Sequence, residues 1–323
     1  MITMKKIVKK VKKIEKLNKK QRVEVIKNAR KEIRRYVKEN NLKSLVIGIS
    51  GGLDSAVVAA LCQSKYTGVP LIGLSIPMDS SKEHREQAIR IGEKYCDGFE
   101  EFVYWGTTGY MKHFEANEDC IDTNKIMNII FKNLETNDRL LKKAGISIKK
   151  EYSKVLKGNM KARMRMITLY DMARRSEGMV LSTDNLSEYL MGFWTINGDV
   201  GDFGPIQNIG KGFELPQIAK ELGVPKDIIK QKPSDGLMVT EDNTDEAQLG
   251  ANYKEVDTIM GIYLKTLKCK NVKTIKLRKK MLSMKENNKE DFKKVEKVIN
   301  RYKNLEFKRR GTINLTRKQL GLI

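Results

Sequence analysis

The 323-residue sequence predicts an α/β fold: a mostly parallel β-sheet with helices on both faces. Three observations carry that expectation. Short apolar runs alternate with helical-period segments from residue 45 to about 190. The runs are apolar throughout rather than alternating, as in strands covered on both sides. A glycine turn, Ser50-Gly51-Gly52, joins the first run to the first helix that follows it.

The elements follow in order. Residues 4–37 carry Met4, Ile7, Val8, Val11, Ile14, Leu17, Val23, Ile26, Ile33 and Val37 at helical steps. They read as an amphipathic helical region that packs on the body or on a second copy of the chain. Residues 45–49 form a buried strand and 54–66 a helix. Residues 71–76 form a second strand, 81–95 a helix capped by Ser81, and 99–104 a third strand. Residues 160–175 are helical, 179–181 strand-like, and 185–192 begin another helix. Residues 197–212 hold five glycines and no apolar period, which marks a functional loop. Stretches 106–150 and 265–300 read as added helical material. The expected organisation is a basic extension at 1–40, a core at 41–260 and a basic helical segment at 261–323. In a parallel sheet the ligand sits at the carboxyl ends of the strands, here at Ser50, Pro77 and Thr183.

Composition narrows the function classes. The net charge is +23, but it is uneven: residues 1–40 hold 16 Lys/Arg against 4 Glu, and residues 261–323 hold 20 against 5. The middle is therefore near neutral, which suggests a compact body with basic helical flanks rather than a chain built around nucleic acid. No run of about 18 apolar residues exists, so no membrane span is expected. No secretory signal is visible. Four scattered cysteines and two histidines offer neither a disulfide framework nor a zinc site, and a reducing cytoplasm is the expected compartment.

The chemistry concentrates at Gly48-Ile49-Ser50-Gly51-Gly52-Leu53-Asp54-Ser55. The glycines let the backbone turn tightly and approach a ligand. The next helix points its amides and positive dipole end at the loop, a ready phosphate site. Ser50 and Ser55 add hydroxyls, and Asp54 can hold a divalent cation. Neither the G-x-x-x-x-G-K-[ST] loop nor G-x-G-x-x-G occurs.

This strand-SGGxDS-helix arrangement resembles the N-type ATP pyrophosphatases, a Rossmann-like, adenine nucleotide α-hydrolase-like group that cleaves ATP between its α and β phosphates. Further segments narrow the resemblance. Gly158-Asn159-Met160-Lys161-Ala162-Arg163-Met164-Arg165-Met166 resembles the GNxKARxRM helix of the NAD synthetases. Leu181-Ser182-Thr183-Asp184-Asn185-Leu186-Ser187-Glu188 resembles their strand-to-helix segment. Gly192 to Thr195, Gly198 to Asp202 with Pro205, Lys211, Leu222 to Pro225, Lys232 to Ser234 and Glu306 to Arg310 continue the match in order. The resemblance implies ATP bound by residues 48–55, Thr183, Lys211 and Ser234, with Mg2+ shared by Asp54 and Glu188. It implies deamido-NAD held by Arg163, Asp202, Phe307 and Lys308, with Tyr36 and Tyr170 stacking on the nicotinate ring, Tyr36 reaching a neighbour's pocket in a homodimer. Asp199 falls where the family binds ammonia.

The sequence departs from the family pattern at Ile196, where a lysine is usual, and at Phe307, where a histidine is usual. Val200 replaces a loop glycine and Val155 an aromatic. Residues 1–40 leave no room for a glutaminase domain, so free ammonia is the expected nitrogen source. The resemblance implies a ligase that makes NAD, AMP and pyrophosphate through an adenylate, with nucleic acid not required. Two other readings stay open: a tRNA-modifying adenylating enzyme, suggested by the charge, and an inactive ATP-binding relative, suggested by Ile196 and Phe307.

Overall fold

The structure, a computed structural model, describes all residues except 1–2, 79, 102–141, 147–152, 235–243, 269–271, 312–314 and 321–323. Its sheet comprises β1 (Ser44–Gly48), β2 (Leu71–Ser75), β3 (Gly98–Glu101) and β4 (Gly178–Val180), in the order β3-β2-β1-β4. All three pairings are parallel. Leu45, Val46 and Ile47 are fully buried because both faces are covered. Leu45 and Ile47 pack into one cluster with α2 (Lys19–Glu39), α3 (Leu53–Leu61), α5 (Lys82–Tyr95) and α8 (Glu214–Glu221). Val46, Leu74 and Val180 pack on the other face against Met164, Met166 and Leu169 of α6 (Ser153–Arg175). The two-residue period of a strand thus divides each apolar run between two helical layers.

The expected helical region at 4–37 is two helices, α1 (Met4–Ile14) and α2. Asn18 breaks it: its side chain accepts from the Gln21 amide while the Gln21 side chain accepts from the Asn18 amide, a reciprocal cap that starts a new helix. The helix expected at 54–66 likewise divides into α3 and α4 (Ser64–Thr67). Ser81 caps α5 as expected, accepting from the His84 amide. β3 ends at Glu101, and residues 102–104 of the expected strand, with most of 106–150, lie outside the described residues. After β4 come α7 (Leu186–Met191), α8, α9 (Lys226–Lys230), α10 (Asp245–Leu249) and α11 (Tyr253–Lys268). Then follow α12 (Val272–Leu282), α13 (Met284–Asn287), α14 (Lys289–Asn304) and α15 (Glu306–Arg309).

A second, all-helical cluster gathers Val256, Ile259 and Met260 of α11 with Met281, Met284, Val295 and Val298. The apolar face of α1, Met4, Ile7 and Val11, packs into this cluster. Of the two expected partners for this region, the body of the chain is the one that covers this face of α1. α11 also runs across residue 261, where a domain boundary was expected.

Candidate active site

The glycine turn leaves β1 at the edge of a cleft. Gly51 has φ +84°, and a Cβ there would lie 2.2 Å from the His84 carbonyl oxygen. Only glycine fits both the backbone angle and the space. The Ser55 hydroxyl donates to the Gly52 carbonyl at 3.1 Å and accepts from the Ser50 amide at 3.3 Å. Ser55 is buried and spends its hydroxyl holding the loop rather than facing the cleft. Ser50 Oγ accepts from the Gly52 amide at 3.2 Å. Gly52 caps α3 without a side chain, so the helix presents its first-turn amides and its positive dipole end at the loop.

Above the loop a lysine is caged by carboxylates. Lys211 Nζ lies 2.9 Å from Asp54 Oδ2, 2.8 Å from Glu188 Oε1 and 3.6 Å from Asp245 Oδ2. Tyr253 donates to Asp245 at 2.7 Å and to Glu188 at 3.1 Å. Asn185 Nδ2 donates to Asp54 at 2.9 Å, while Asn185 and Glu188 form the reciprocal cap that starts α7. The same two residues therefore begin the helix and build the site. Burial pulls the Lys211 ammonium down, but Asp54, Glu188 and Asp245 outweigh it and hold it well above the ordinary lysine value. Burial pushes Glu188 above the usual carboxylate range, Lys211 opposes, and Asp54 and Asp245 add to the rise. Among the described residues no three acidic, His or Cys side chains form a ready metal cage. The ammonium stands at the centre of the three carboxylates instead.

The cleft opens at the carboxyl ends of the strands, where Ser50, Pro77 and Thr183 line it as the parallel sheet predicts. Gly48, Ile49, Gly52, Asp54, Lys211 and Ser234 line it too, and Leu53 faces a neighbouring cavity. Ala162, Arg165, Met166 and Leu169 of α6 form one wall. Arg165 donates to the Ile76 carbonyl at 3.1 Å, so it belongs to the cleft and not to the surface. Asp199 reaches the cleft from the glycine-rich loop, with its Oδ1 accepting from the Thr195 amide at 2.8 Å.

The residues expected to hold the dinucleotide lie elsewhere. Leu156, Arg163, Ile167 and Tyr170 share the opposite stripe of α6, at steps of seven, four and three residues. Tyr170 donates to Asp202 at 2.7 Å, and burial followed by Asp202 pushes its hydroxyl up to about 12. Tyr36 packs on Phe203 of its own chain, ring centres 4.7 Å apart. Arg163 donates to the Ile196 carbonyl at 3.3 Å. Phe307 is exposed on α15, while Lys308 donates to the Gly192 carbonyl at 2.9 Å and to that of Trp194.

Asp245, Asn185 and Tyr253 were not singled out from the sequence. The spacing of Asn185 and Glu188 is a capping signal that could have found Asn185. Nothing local marks the other two.

A parallel sheet, a glycine turn feeding a helix N-terminus and a caged ammonium above it define an α/β nucleotide-binding protein built around phosphate. A family model for NAD synthase matches residues 25–312. The NH3-dependent NAD+ synthetase of Methanocaldococcus jannaschii is 33% identical over 248 residues, covering 75% of this chain and 82% of the relative. That of Alkaliphilus oremlandii is 34% identical over 229 residues, covering 71% and 81%. The chain belongs to the NAD synthase family. Solved structures share its fold: an NMN synthetase from Francisella tularensis has a TM-score of 0.61 at 24% identity, covering 91% of this chain and 98% of that one. An NH3-dependent NAD synthetase from Campylobacter jejuni gives 0.60 at 22%, with the same coverage.

Proposed function

We propose that this chain amidates deamido-NAD with ammonia at the expense of ATP. The observation that carries the reading is the Lys211 ammonium held between Asp54 and Glu188 at the mouth of the SGG loop. Phosphates bound on the loop would meet that charge and the α3 dipole together. The nicotinate carboxylate oxygen attacks the α-phosphorus and pyrophosphate leaves, giving an acyl adenylate. Ammonia then attacks the acyl carbon, AMP leaves with the acyl oxygen, and one ammonia proton is lost. Asp199 lines the cleft and is the carboxylate that would take it. No side chain is needed as a covalent nucleophile, so positioning and charge supply the acceleration.

Mg2+ belongs to this reading. Asp54 and Glu188 would hold it, and hard carboxylate oxygens suit that ion. When bound it supplies neutralisation of charge on the departing pyrophosphate. A homodimer is also proposed, now across α6. Leu156, Ile167 and Tyr170 are 48%, 62% and 41% exposed on one stripe, and Ile196 is 43% exposed beside Arg163. That stripe carries Arg163 and Tyr170 of the expected dinucleotide residues, so a second copy would complete their pocket. No helix among the described residues is long and apolar enough to cross a membrane, and Cys62 and Cys96 are free thiols, which fits a cytoplasmic setting.

The test is NAD formation from deamido-NAD, ATP, Mg2+ and ammonium by the purified chain, with pyrophosphate followed separately. The expected result is NAD and pyrophosphate in equal amounts. ATP binding without any turnover would overturn the reading in favour of an inactive relative.

A further inference from the structure

We infer that the lysine stripe of α1 forms, with lysines near α9 and at the start of α11, a vestibule that binds a phosphate-chain anion beside the nucleotide cleft. A second cavity shares Gly52, Asp54, Lys211 and Ser234 with the cleft, so it begins at the phosphate loop. Lys9 and Lys12 of α1 and Lys16, just beyond its end, line one side, and Lys230, Lys232 and Lys254 line it from elsewhere in the chain. Its described carboxylates are Asp54, which is already bound to Lys211, and Glu246. The excess of positive charge is large, and it lines a half-open cavity.

The aim of the α1 lysines is built in. Lys9 and Lys12 lie three residues apart on α1 and Lys16 follows its C-cap, while Met4, Ile7 and Val11 are buried in the helical cluster. Docking the apolar face fixes where the charged face points. The far end of α1 is tied down as well: Leu17 donates to Gln217 Oε1 at 3.0 Å, Gln217 donates back to the Glu15 carbonyl at 3.2 Å, and Lys265 pairs with Glu15 at 3.1 Å. At the near end the Met4 amide donates to Asp291 at 2.8 Å. This helix also precedes residue 25, where the family match begins, so it adds to the shared machinery without being part of it.

The chemistry points to linked phosphates. Ammonium groups on flexible stems act as movable point charges, and they suit a dense linear anion with no fixed shape. A row of lysines that begins at the phosphate loop suits an anion longer than a single phosphate. Such an anion has two sources: pyrophosphate released in the cleft, or free inorganic polyphosphate. Only the first source rests on the proposed reaction.

Isothermal titration of the full chain with pyrophosphate, with tripolyphosphate and with AMP tests this without turnover. The K9Q/K12Q/K16Q variant should bind both phosphate chains about tenfold more weakly, from three exposed charge contacts, with AMP unchanged. K9R/K12R/K16R should restore binding. K5Q/K10Q/K27Q removes the same charge from exposed positions that do not line the cavity, and it should bind like the wild type. Pyrophosphate as the stronger ligand, with weaker product inhibition in the glutamine variant, assigns the vestibule to the leaving group. Tripolyphosphate as the stronger ligand assigns it to free polyphosphate. Unchanged affinities in K9Q/K12Q/K16Q, or an equal loss in the K5Q/K10Q/K27Q control, would overturn the inference. A chain that makes no NAD leaves these binding results standing, so the two failures are separable.

Discussion

Replacing Asp257 by asparagine should change how the stability of the chain depends on pH while sparing the site. Asp257, on α11, accepts the Ser187 hydroxyl and the Gly212 amide, the latter at 2.8 Å. Ser187 Oγ in turn accepts the Lys211 amide at 2.9 Å, so this carboxylate holds the backbone on either side of the caged lysine. Burial pushes its pKa from the ordinary 3.8 up to about 6, against the hydrogen bonds from Ser187 and Gly212 that pull it down. A rise of about two units corresponds to about 3 kcal/mol, an upper bound because the side chain keeps some contact with water. The folded chain binds the proton more tightly than the unfolded one. The contribution is therefore fully present below pH 3.8 and is lost as the pH rises through about 6. Asparagine has no charge to desolvate, can still accept from Gly212 and can donate to Ser187. Between pH 4 and 7 the variant should gain up to about 3 kcal/mol on the wild type. Urea denaturation of both proteins across that range measures it, and parallel profiles would refute the reasoning. Asp257→Ala strands two donors, and should cost about 1–3 kcal/mol at pH 7 and raise the KM for ATP.

Gly51→Ala should weaken ATP binding at least tenfold in a titration and lower Tm, since the added carbon meets the His84 carbonyl at 2.2 Å in a left-handed backbone. Tyr170→Phe removes the 2.7 Å bond to Asp202, and steady-state kinetics should show the KM for deamido-NAD rising about two- to tenfold with that for ATP unchanged. Asp199→Asn should lower the NAD made per pyrophosphate released, and a ratio that stays at one would remove Asp199 from proton removal. Asp54→Asn and Glu188→Gln should each abolish turnover even at saturating Mg2+, measured as pyrophosphate release.

The parts of the fold that local chemistry dictates were readable from the sequence. The apolar run at 45–49 needed cover on both faces, and it has it. Ser81 stood before a helical period, and it caps α5. The break at Asn18 is hidden in the pattern because Ile14 and Leu17 keep the helical step across it, and only the cap signal of Asn18 and Gln21, three residues apart, marks it. Glu188 and Lys211 were joined to Asp54 by resemblance alone, since no periodicity joins positions so distant. Asp245 was missed for a related reason. Thr244-Asp245-Glu246 reads fully as the start of a helix, and Thr244 does cap α10, so nothing local asks for a second role. Only the folded chain puts that carboxylate on a lysine 34 residues earlier in sequence.

The basic side chains of α14 and α15 end on the carbonyls that follow Glu188. Arg301 donates to Met191 at 2.8 Å, Arg309 to Leu190 at 3.0 Å, and Lys308 to Gly192 and Trp194. These partners lie 110 to 119 residues apart in the chain. A ribosome adding about 5–20 residues each second needs roughly 5–20 s to make that interval. Through that time the short helix bearing Glu188 exists without the cations that close its end. The nascent chain can therefore complete its sheet and its glycine turn early, yet it acquires a finished site only near the close of synthesis. A ribosome that stalls before residue 301 would release a folded-looking body unable to do the chemistry.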